Sequence, residues 1–352
     1  MKRTLSLLLS AAVTLSLLTG CGPKATGSDS SSGSGSGSSG DTSSTGAYVL
    51  PNFMVLSGPT GVGAAKLLAD DAAIADGTAS AGEMKEVVDH FEVVANNQEV
   101  KDALISGTTD IAAIATNEAA ALAAKTDGAV QVLAVNTLGV LYILEKGNTV
   151  YSLADLAGKT VYATGQGANP EYVLNYLLRQ SGVEPSQVDI QWLTAQEVSA
   201  KMASSEEAIC MLPVPAATAL LIQDSGVRQA LSLSEVWDEL GSGQLAMGCV
   251  VVRTDYLEEN PQGVEAFLDA YEDSLDYMMD EANLEQAAQY VAQFEITPSA
   301  AIAEKAIPQC SLTYVTGQEM RDMLESYYQV LFQANPDSIG GSMPYDSFYY
   351  EG

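Results

Sequence analysis

The feature that most constrains the fold is a repeated alternation of short apolar runs with helix-forming segments. Phe53–Leu56 reads as a strand, followed by a Gly58-Pro59-Thr60-Gly61 turn and a helix over Val62–Ala69. Phe91–Val94 predicts a second strand, and a helix near Glu99–Ile105 stops at Gly107. Asp110–Ile114 is a third strand, leading through Ala115-Thr116-Asn117 into the Ala-rich helix Glu118–Lys125, and Val130–Val135 is a fourth. Short strands that are apolar throughout and separated by helices call for mostly parallel sheets covered on both faces. Leu138–Glu145 then follows with no intervening helix, so the chain is expected to cross into a second body there. The alternation restarts with strands at Thr160–Ala163, Asp189–Leu193 and Ala208–Leu212, with Pro170 opening a helix over Glu171–Gln180. A second long apolar stretch, Gln244–Val252, is expected to carry the chain back. Helices are predicted after it over Pro261–Met279, Leu284–Phe294, Ser299–Ala306 and Gly317–Phe332.

The N-terminus predicts an address outside the cytoplasm. Lys2-Arg3 is a short basic region, and Thr4–Leu18 is an apolar stretch too short for a membrane span, which together read as a secretory signal over residues 1–20. Leu18-Thr19-Gly20-Cys21 resembles a bacterial lipobox, so Cys21 is expected to be lipidated and to become the new N-terminus. Two acyl chains give the stable anchoring that one chain does not. Residues 21–46 are almost entirely Ser, Gly, Thr and Asp after the Cys, a composition too polar to offset ordering entropy. As a flexible tether they would span ~25–30 Å.

Composition limits the body that hangs on this tether. A formal net charge of −30 argues against nucleic acid and anionic lipid surfaces as partners. Cys210, Cys249 and Cys310 are far apart and form neither a metal-ligand pattern nor a disulfide framework. His90 is the single histidine of the chain, so neither a zinc site nor a His-based triad is expected, and no metal or cofactor is called for. Gly58–Lys66 (GPTGVGAAK) approaches a phosphate-binding loop, but Ala64 and Ala65 stand where that loop needs Lys and Ser/Thr. The strand, the Gly-rich turn and the helix start survive while the phosphate chemistry does not.

Three segments carry a family resemblance. Ala103–Ala112 (ALISGTTDIA) reads as helix, Gly, two residues, Asp and strand; Leu153–Val161 (LADLAGKTV) opens the second body; and Asn260-Pro261 begins the long helix after the second crossing. In order and spacing they resemble the type II periplasmic-binding-protein fold. Within it they resemble the nitrate/sulfonate/taurine (NitT/TauT) and thiamine-precursor family of ABC-transporter solute-binding proteins, over nearly all of residues 48–335. The resemblance implies an α/β fold of two lobes with mostly parallel sheets flanked by helices, residues 47–138 plus 245–352 forming one lobe and 139–244 the other, with hinges near 136–140 and 244–248. It implies a monomeric, non-enzymatic lipoprotein on the outer side of the bacterial cell membrane. Such a protein captures a nitrate/sulfonate/taurine-like or pyrimidine/thiamine-precursor-like molecule for an ABC permease and its ATPase. Two alternatives accompany it: an enzyme on the same fold related to thiamine-pyrimidine synthesis, whose Cys-rich motif and His-rich site this chain lacks, and a sensor without a transport role.

In an open α/β lobe, ligands meet the loops at the carboxyl ends of the strands. Ser57, Gly58, Pro59 and Thr60 form that loop in the first lobe; Gly165, Gln166, Gly167 and Asn169 form it in the second. Backbone N–H groups at the following helix starts are expected to hold an acceptor or an anionic end. Thr116 and Asn117 serve as ligand contacts or as helix caps. Asn136 and Thr137 face the cleft or simply turn the chain, Met211 is a candidate pocket wall, and Pro213 belongs to a rigid loop at a strand end. Trp192 and Trp237 stack on a flat ligand or belong to the core. The tail Ser338–Tyr350 is assigned no activity. The N-terminal reading carries its own test: Cys21→Ala should release the protein from the membrane fraction without lowering its melting temperature, and unchanged membrane association would place the anchor elsewhere.

Overall fold

The computed structural model describes residues 48–79 and 86–352. The predicted signal segment, Cys21 and the Ser/Gly tether lie outside the described residues. The first lobe begins with β1 (Asn52–Leu56), α1 (Pro59–Ala75), β2 (His90–Val94), α2 (Asn97–Ser106), β3 (Ile111–Ala115), α3 (Thr116–Lys125) and β4 (Val130–Thr137). The chain then crosses into the second lobe, which holds β5 (Leu141–Lys146), β6 (Thr160–Ala163), α4 (Asn169–Gln180), β7 (Asp189–Trp192), α5 (Ala195–Ser204), β8 (Ala208–Pro213), α6 (Ala216–Gln223), β9 (Val227–Ser232) and α7 (Leu233–Glu239). It returns through β10 (Gly248–Arg253), α8 (Thr254–Glu259), α9 (Pro261–Met279), α10 (Leu284–Gln293), α11 (Ala300–Ala306), β11 (Leu312–Val315) and α12 (Gly317–Ala334).

The sheets explain why the two crossings exist. The first has the order β11-β4-β10-β3-β1-β2 and the second β7-β6-β8-β5-β9. β1 pairs in parallel with both β2 and β3, and β6 pairs in parallel with both β7 and β8. The strands that follow the crossings run the other way: β5 is antiparallel to β8 and β9, and β10 is antiparallel to β3 and β4. A strand that arrives without a crossover helix inserts antiparallel, because the right-handed helical connection is what returns a chain parallel to itself. β10 sits in the middle of its sheet, and Cys249, Val250, Val251 and Val252 are wholly buried, so the returning strand joins the two halves of the first lobe.

Several boundaries differ from the sequence reading. The first helix starts at Pro59 rather than Val62, because Pro at its first position needs no N–H partner, and it continues to Ala75. Pro59 and Thr60 therefore belong to the helix, and the true turn is Ser57-Gly58. The two long apolar stretches are each part connection and part strand: β5 begins only at Leu141 and β10 only at Gly248. β9 and β11 have mixed burial and gave no clear apolar run. α9 spans Pro261–Met279, as the periodicity predicts.

One hydrophobic cluster runs through both lobes, from Ile114 and Val132 to Ile143, Val161 and Leu177. Trp237 lies where the lobes meet, its ring 5.2 Å from that of Tyr176 on α4 and 5.7 Å from that of Tyr327 on α12. It is fully buried and its indole N–H donates to the Gly243 carbonyl at 3.0 Å, so it belongs to the core.

Glu145 fixes β5 just after the first crossing. Its carboxylate is 2% exposed, accepts from the Thr149 and Val150 backbone and the Thr149 hydroxyl, and pairs with Arg228 on β9. Burial pushes its pKa upward, but those hydrogen bonds outweigh it and hold the carboxyl below its usual value. A depressed folded pKa gives stability that is present above the unfolded value and is lost as pH falls through the folded one. Glu145→Ala should cost about 1–3 kcal/mol in urea unfolding at neutral pH, because the Thr149 and Val150 N–H groups lose a buried acceptor, while Arg228, a third exposed, keeps the Gly147 and Val150 carbonyls. The difference from wild type should shrink as the medium is acidified below the normal glutamate range.

Candidate functional site

The carboxyl end of β1 turns sharply at Gly58, whose φ of 126° and ψ of −152° suit glycine alone. Ser57 N–H donates to the Val94 carbonyl at 2.7 Å, tying the turn to β2. The Thr60 hydroxyl donates to the Leu56 carbonyl at 2.8 Å, so its hydrogen is already committed within its own turn. Ser57 also lines a surface cavity of about 410 Å³ with Val93, Val94, Ala95, Gln293, Phe294 and Glu295.

Thr60, Asn136 and Thr137 converge on Gly248, the first residue of the returning strand. A Cβ on Gly248 would come within 2.6 Å of Thr60 Cγ2, 2.7 Å of Asn136 Oδ1 and 3.1 Å of Thr137 Cβ. The Asn136 amide donates to the Tyr271 hydroxyl at 2.8 Å, and Tyr271 is itself wholly buried against Phe53 and Phe267. Asn136 Oδ1 and Thr137 Oγ1 are buried and have no partner among the described residues. Both residues are 1% exposed.

Asn169, from the second lobe, reaches a group of partners that all lie across the crossings. Its N–H donates to Asn117 Oδ1 at 3.0 Å, and its amide nitrogen donates to Thr116 Oγ1 at 2.9 Å and to the Met247 carbonyl at 2.8 Å. Its amide oxygen accepts from the Tyr327 hydroxyl at 2.9 Å. Every hydrogen-bonding position of that side chain is therefore used or shielded, and Asn169 is 1% exposed. Its partners are held in turn: Thr116 donates to the Ala246 carbonyl, Asn117 to the Ser338 carbonyl, and Tyr328 donates to the Thr116 carbonyl. Thr116 and Asn117 are the first residues of α3, whose cap position is Ala115, so they do not cap it by side chain.

The second-lobe loop is committed to itself. Gly165 and Gly167 have φ of 89° and 77°. The expected free N–H groups at the start of α4 are occupied: Gly167 donates to the Glu171 carboxylate at 2.7 Å, Ala168 to the Gly165 carbonyl, and Asn169 to Asn117. Pro170 has no N–H to offer. Gln166 is exposed, Met211 is buried in the core on β8 between Ile143 and Ala163, and Pro213 ends that strand, partly exposed, opposite Leu141. The phenol of Tyr172 is pushed up by burial and then by the charges of Glu171, Glu118 and Asp337. Lys101 pairs with Glu118.

The structure thus brings Thr60, Asn136 and Thr137 to Gly248 and brings Thr116, Asn117 and Asn169 together beside Met247. It leaves Gln166 and Gly167 at the surface and Met211 in the core. Met247, Gly248, Tyr271, Tyr327 and Ser338 are participants that pattern reading missed. The only available signals were a glycine inside an apolar run and adjacent tyrosines on an amphipathic helix. Cys210, Cys249 and Cys310 are unpaired and buried, and burial pushes the thiols of Cys210 and Cys310 up to about 12. His90 is exposed beside Phe91. Asn169→Ala should lower stability by about 2–4 kcal/mol in urea unfolding, because several buried partners are left unpaired at once. It should also raise the radius of gyration measured by X-ray scattering. Gly248→Ala should destabilise through steric crowding, without the backbone strain expected of Gly58→Ala.

The family model described as NMT1/THI5 like matches residues 91–283, more than half of the chain. No curated protein matches. Among solved structures, an ABC transporter from Parabacteroides distasonis is similar with a TM-score of 0.68 at 21% identity, over 86% of this chain and 99% of that one. The periplasmic aliphatic sulphonate binding protein SsuA from Escherichia coli is similar with a TM-score of 0.67 at 16% identity, over 85% and 91%. The periplasmic nitrate-binding protein NrtA from Synechocystis PCC 6803 follows with 0.56 at 16% identity, over 83% and 85%. Two lobes, two crossings and antiparallel strands after each crossing give the type II periplasmic-binding-protein fold, and the chain belongs to the NMT1/THI5-like family.

Proposed function

We propose that this chain is an extracytoplasmic solute-binding lipoprotein of an ABC importer, holding one small molecule between its lobes and presenting it to a membrane permease. The observation that carries the reading is the polar seam between the lobes, where Asn169 of the second lobe meets Thr116, Asn117, Met247 and Tyr327 in a buried hydrogen-bond network. A monomer with two lobes joined by two crossings closes around a solute by hinge bending, and a solute that contacts both lobes favours the closed form. The likeness to a sulphonate-binding and a nitrate-binding protein supports the reading at the level of the fold. No described helix is long and apolar enough to cross a membrane, which is consistent with anchoring through Cys21.

Thiol-based catalysis suits the described residues poorly. The described thiols are buried and their pKa values raised, whereas a reactive thiolate needs exposure and a lowered pKa. No cofactor enters the reading.

The test is direct. Protein purified from its own host under native conditions should release a small molecule on denaturation, identifiable by mass spectrometry. Adding that molecule back to stripped protein should stabilise it by about 2.7 kcal/mol at a hundredfold excess over Kd. It should also reduce the radius of gyration. A chain that carries no solute and shows no such response to its host's growth medium would remove the proposal.

A further inference from the structure

We infer that the segment after α12, residues 336–352, is a strap that sets how firmly the two lobes rest against each other, acting through Asn117 and Tyr328 on the Asn169 junction. The inference rests on the reading of two lobes that open and close, and it assigns control of that motion to a part of the chain outside both crossings. The segment is built into the first lobe at two points. At the first, a short turn over Pro336–Ile339 lays Ser338 and Ile339 into the interior, both buried. Gly340 follows with a φ of 84°, and a Cβ there would come within 2.8 Å of Ala124 Cβ and 3.0 Å of Ala121 Cα, so the turn lies directly on α3. At the second, Tyr349 forms a bridge with Val132, and the Tyr350 N–H donates to the Val132 carbonyl at 3.0 Å. This extends the edge of β4 beyond Val135 and Thr137, the residues that β11 covers. Arg321 on α12 pairs with Asp346 and stacks on the Tyr349 ring at 5.2 Å, which pins the same end.

Both points connect to residues that the second lobe holds. Asn117 has one end of its amide on each side: its nitrogen donates to the Ser338 carbonyl at 3.2 Å, and its oxygen accepts from the Asn169 N–H at 3.0 Å. A carbonyl can only accept and a backbone N–H can only donate, so this is the one amide orientation that satisfies both. The Ser338 carbonyl is therefore what turns the Asn117 oxygen toward the second lobe. Phe348 packs its ring 6.3 Å from that of Tyr328, whose hydroxyl donates to the Thr116 carbonyl at 2.9 Å. Thr116 in turn accepts from the Asn169 amide. The strap stands behind both of the first residues of α3, two of the places where α4 grips the first lobe. Without it Asn117 is free to rotate, and rotation leaves the buried Asn169 N–H without its acceptor. Separation of the lobes then becomes easier. The sheet of the second lobe, ordered β7-β6-β8-β5-β9, takes no strand from the segment and keeps its own pairings.

Hydrogen exchange followed by mass spectrometry, with no solute added, tests the strap. In a chain ended at Asn335, the peptide spanning Asn169 should exchange about tenfold faster than in the full chain, the mark of a local opening, while β6 and β8 keep their protection. Phe348→Ala in the full chain, which leaves Ser338 in place, should give a smaller rise of the same pattern. Faster exchange confined to β4, α3 and α12, with the Asn169 peptide unchanged, would make the segment a cover for the first lobe alone and overturn the inference. An equal rise at Asn169, β6 and β8 in Phe348→Ala would mean general destabilisation and would overturn it too. Should the shortened chain lose protection everywhere, Phe348→Ala decides by itself, and an unchanged Asn169 peptide there counts against the strap. Because no solute enters, the outcome is separate from that of the solute-binding reading, which stands or falls on whether native protein releases a small molecule.

Discussion

The structure depends on the buried hydrogen-bond junction at Asn169. One side chain from α4 joins Thr116, Met247 and Tyr327, which come from the start of α3, the second crossing and α12. Its backbone N–H adds Asn117. In water each of these bonds would be worth about 1 kcal/mol net, but at a buried seam the cost of breaking the set is the desolvation of every partner left behind. A fully satisfied junction therefore acts as an all-or-none contact. It ties the two lobes together in this arrangement, and the rings of Trp237, Tyr176 and Tyr327 pack where the lobes meet. Neither part alone would suffice: apolar contact without the polar junction specifies no single register, and the polar junction without apolar cover would be hydrated.

Burial also sorts the polar groups of the seam from the charged ones. The chain carries a large negative charge, yet its carboxylates sit where water or a cation can reach them, as Glu118 does with Lys101 and Glu145 with Arg228. The seam itself contains amides, hydroxyls and carbonyls.

Much of the architecture was legible because apolar strands and helix starts obey local rules. The alternation from Phe53 to Val135, the restart at Thr160, the two crossings and the helix from Pro261 all follow from residue pattern, since a buried parallel strand has to be apolar throughout and a helix start favours proline. β9 and β11 escaped because edge strands are half exposed and look like loops. The candidate site was legible only as a set of places. Thr60, Thr116, Asn117, Asn136, Thr137 and Asn169 stand at strand ends, where sequence logic looks for a site, and they meet in the folded chain. What the sequence could not give is which polar group pairs with which. It suggested free N–H groups before α4, while Glu171, four residues after Gly167, turns back to take one of them. Tyr271 and Tyr327 sit in helices whose pattern says only "buried face", and their hydroxyl partners depend on tertiary placement.

The Asn169 junction also has a kinetic meaning. Its bonds join residues far apart in sequence, 158 positions between Asn169 and Tyr327 and 78 between Asn169 and Met247, and the supporting bond from Asn117 to Ser338 spans 221. Contacts of such long range form only after loop-closure entropy has been overcome by the rest of the chain. The second sheet is built from nearer pairings, such as β6 with β7 and β8, whereas the first is completed only when β10 and β11 return to β3 and β4. The second lobe can therefore take shape on its own, while the first sheet and the Asn169 junction both wait for the chain that returns through the second crossing.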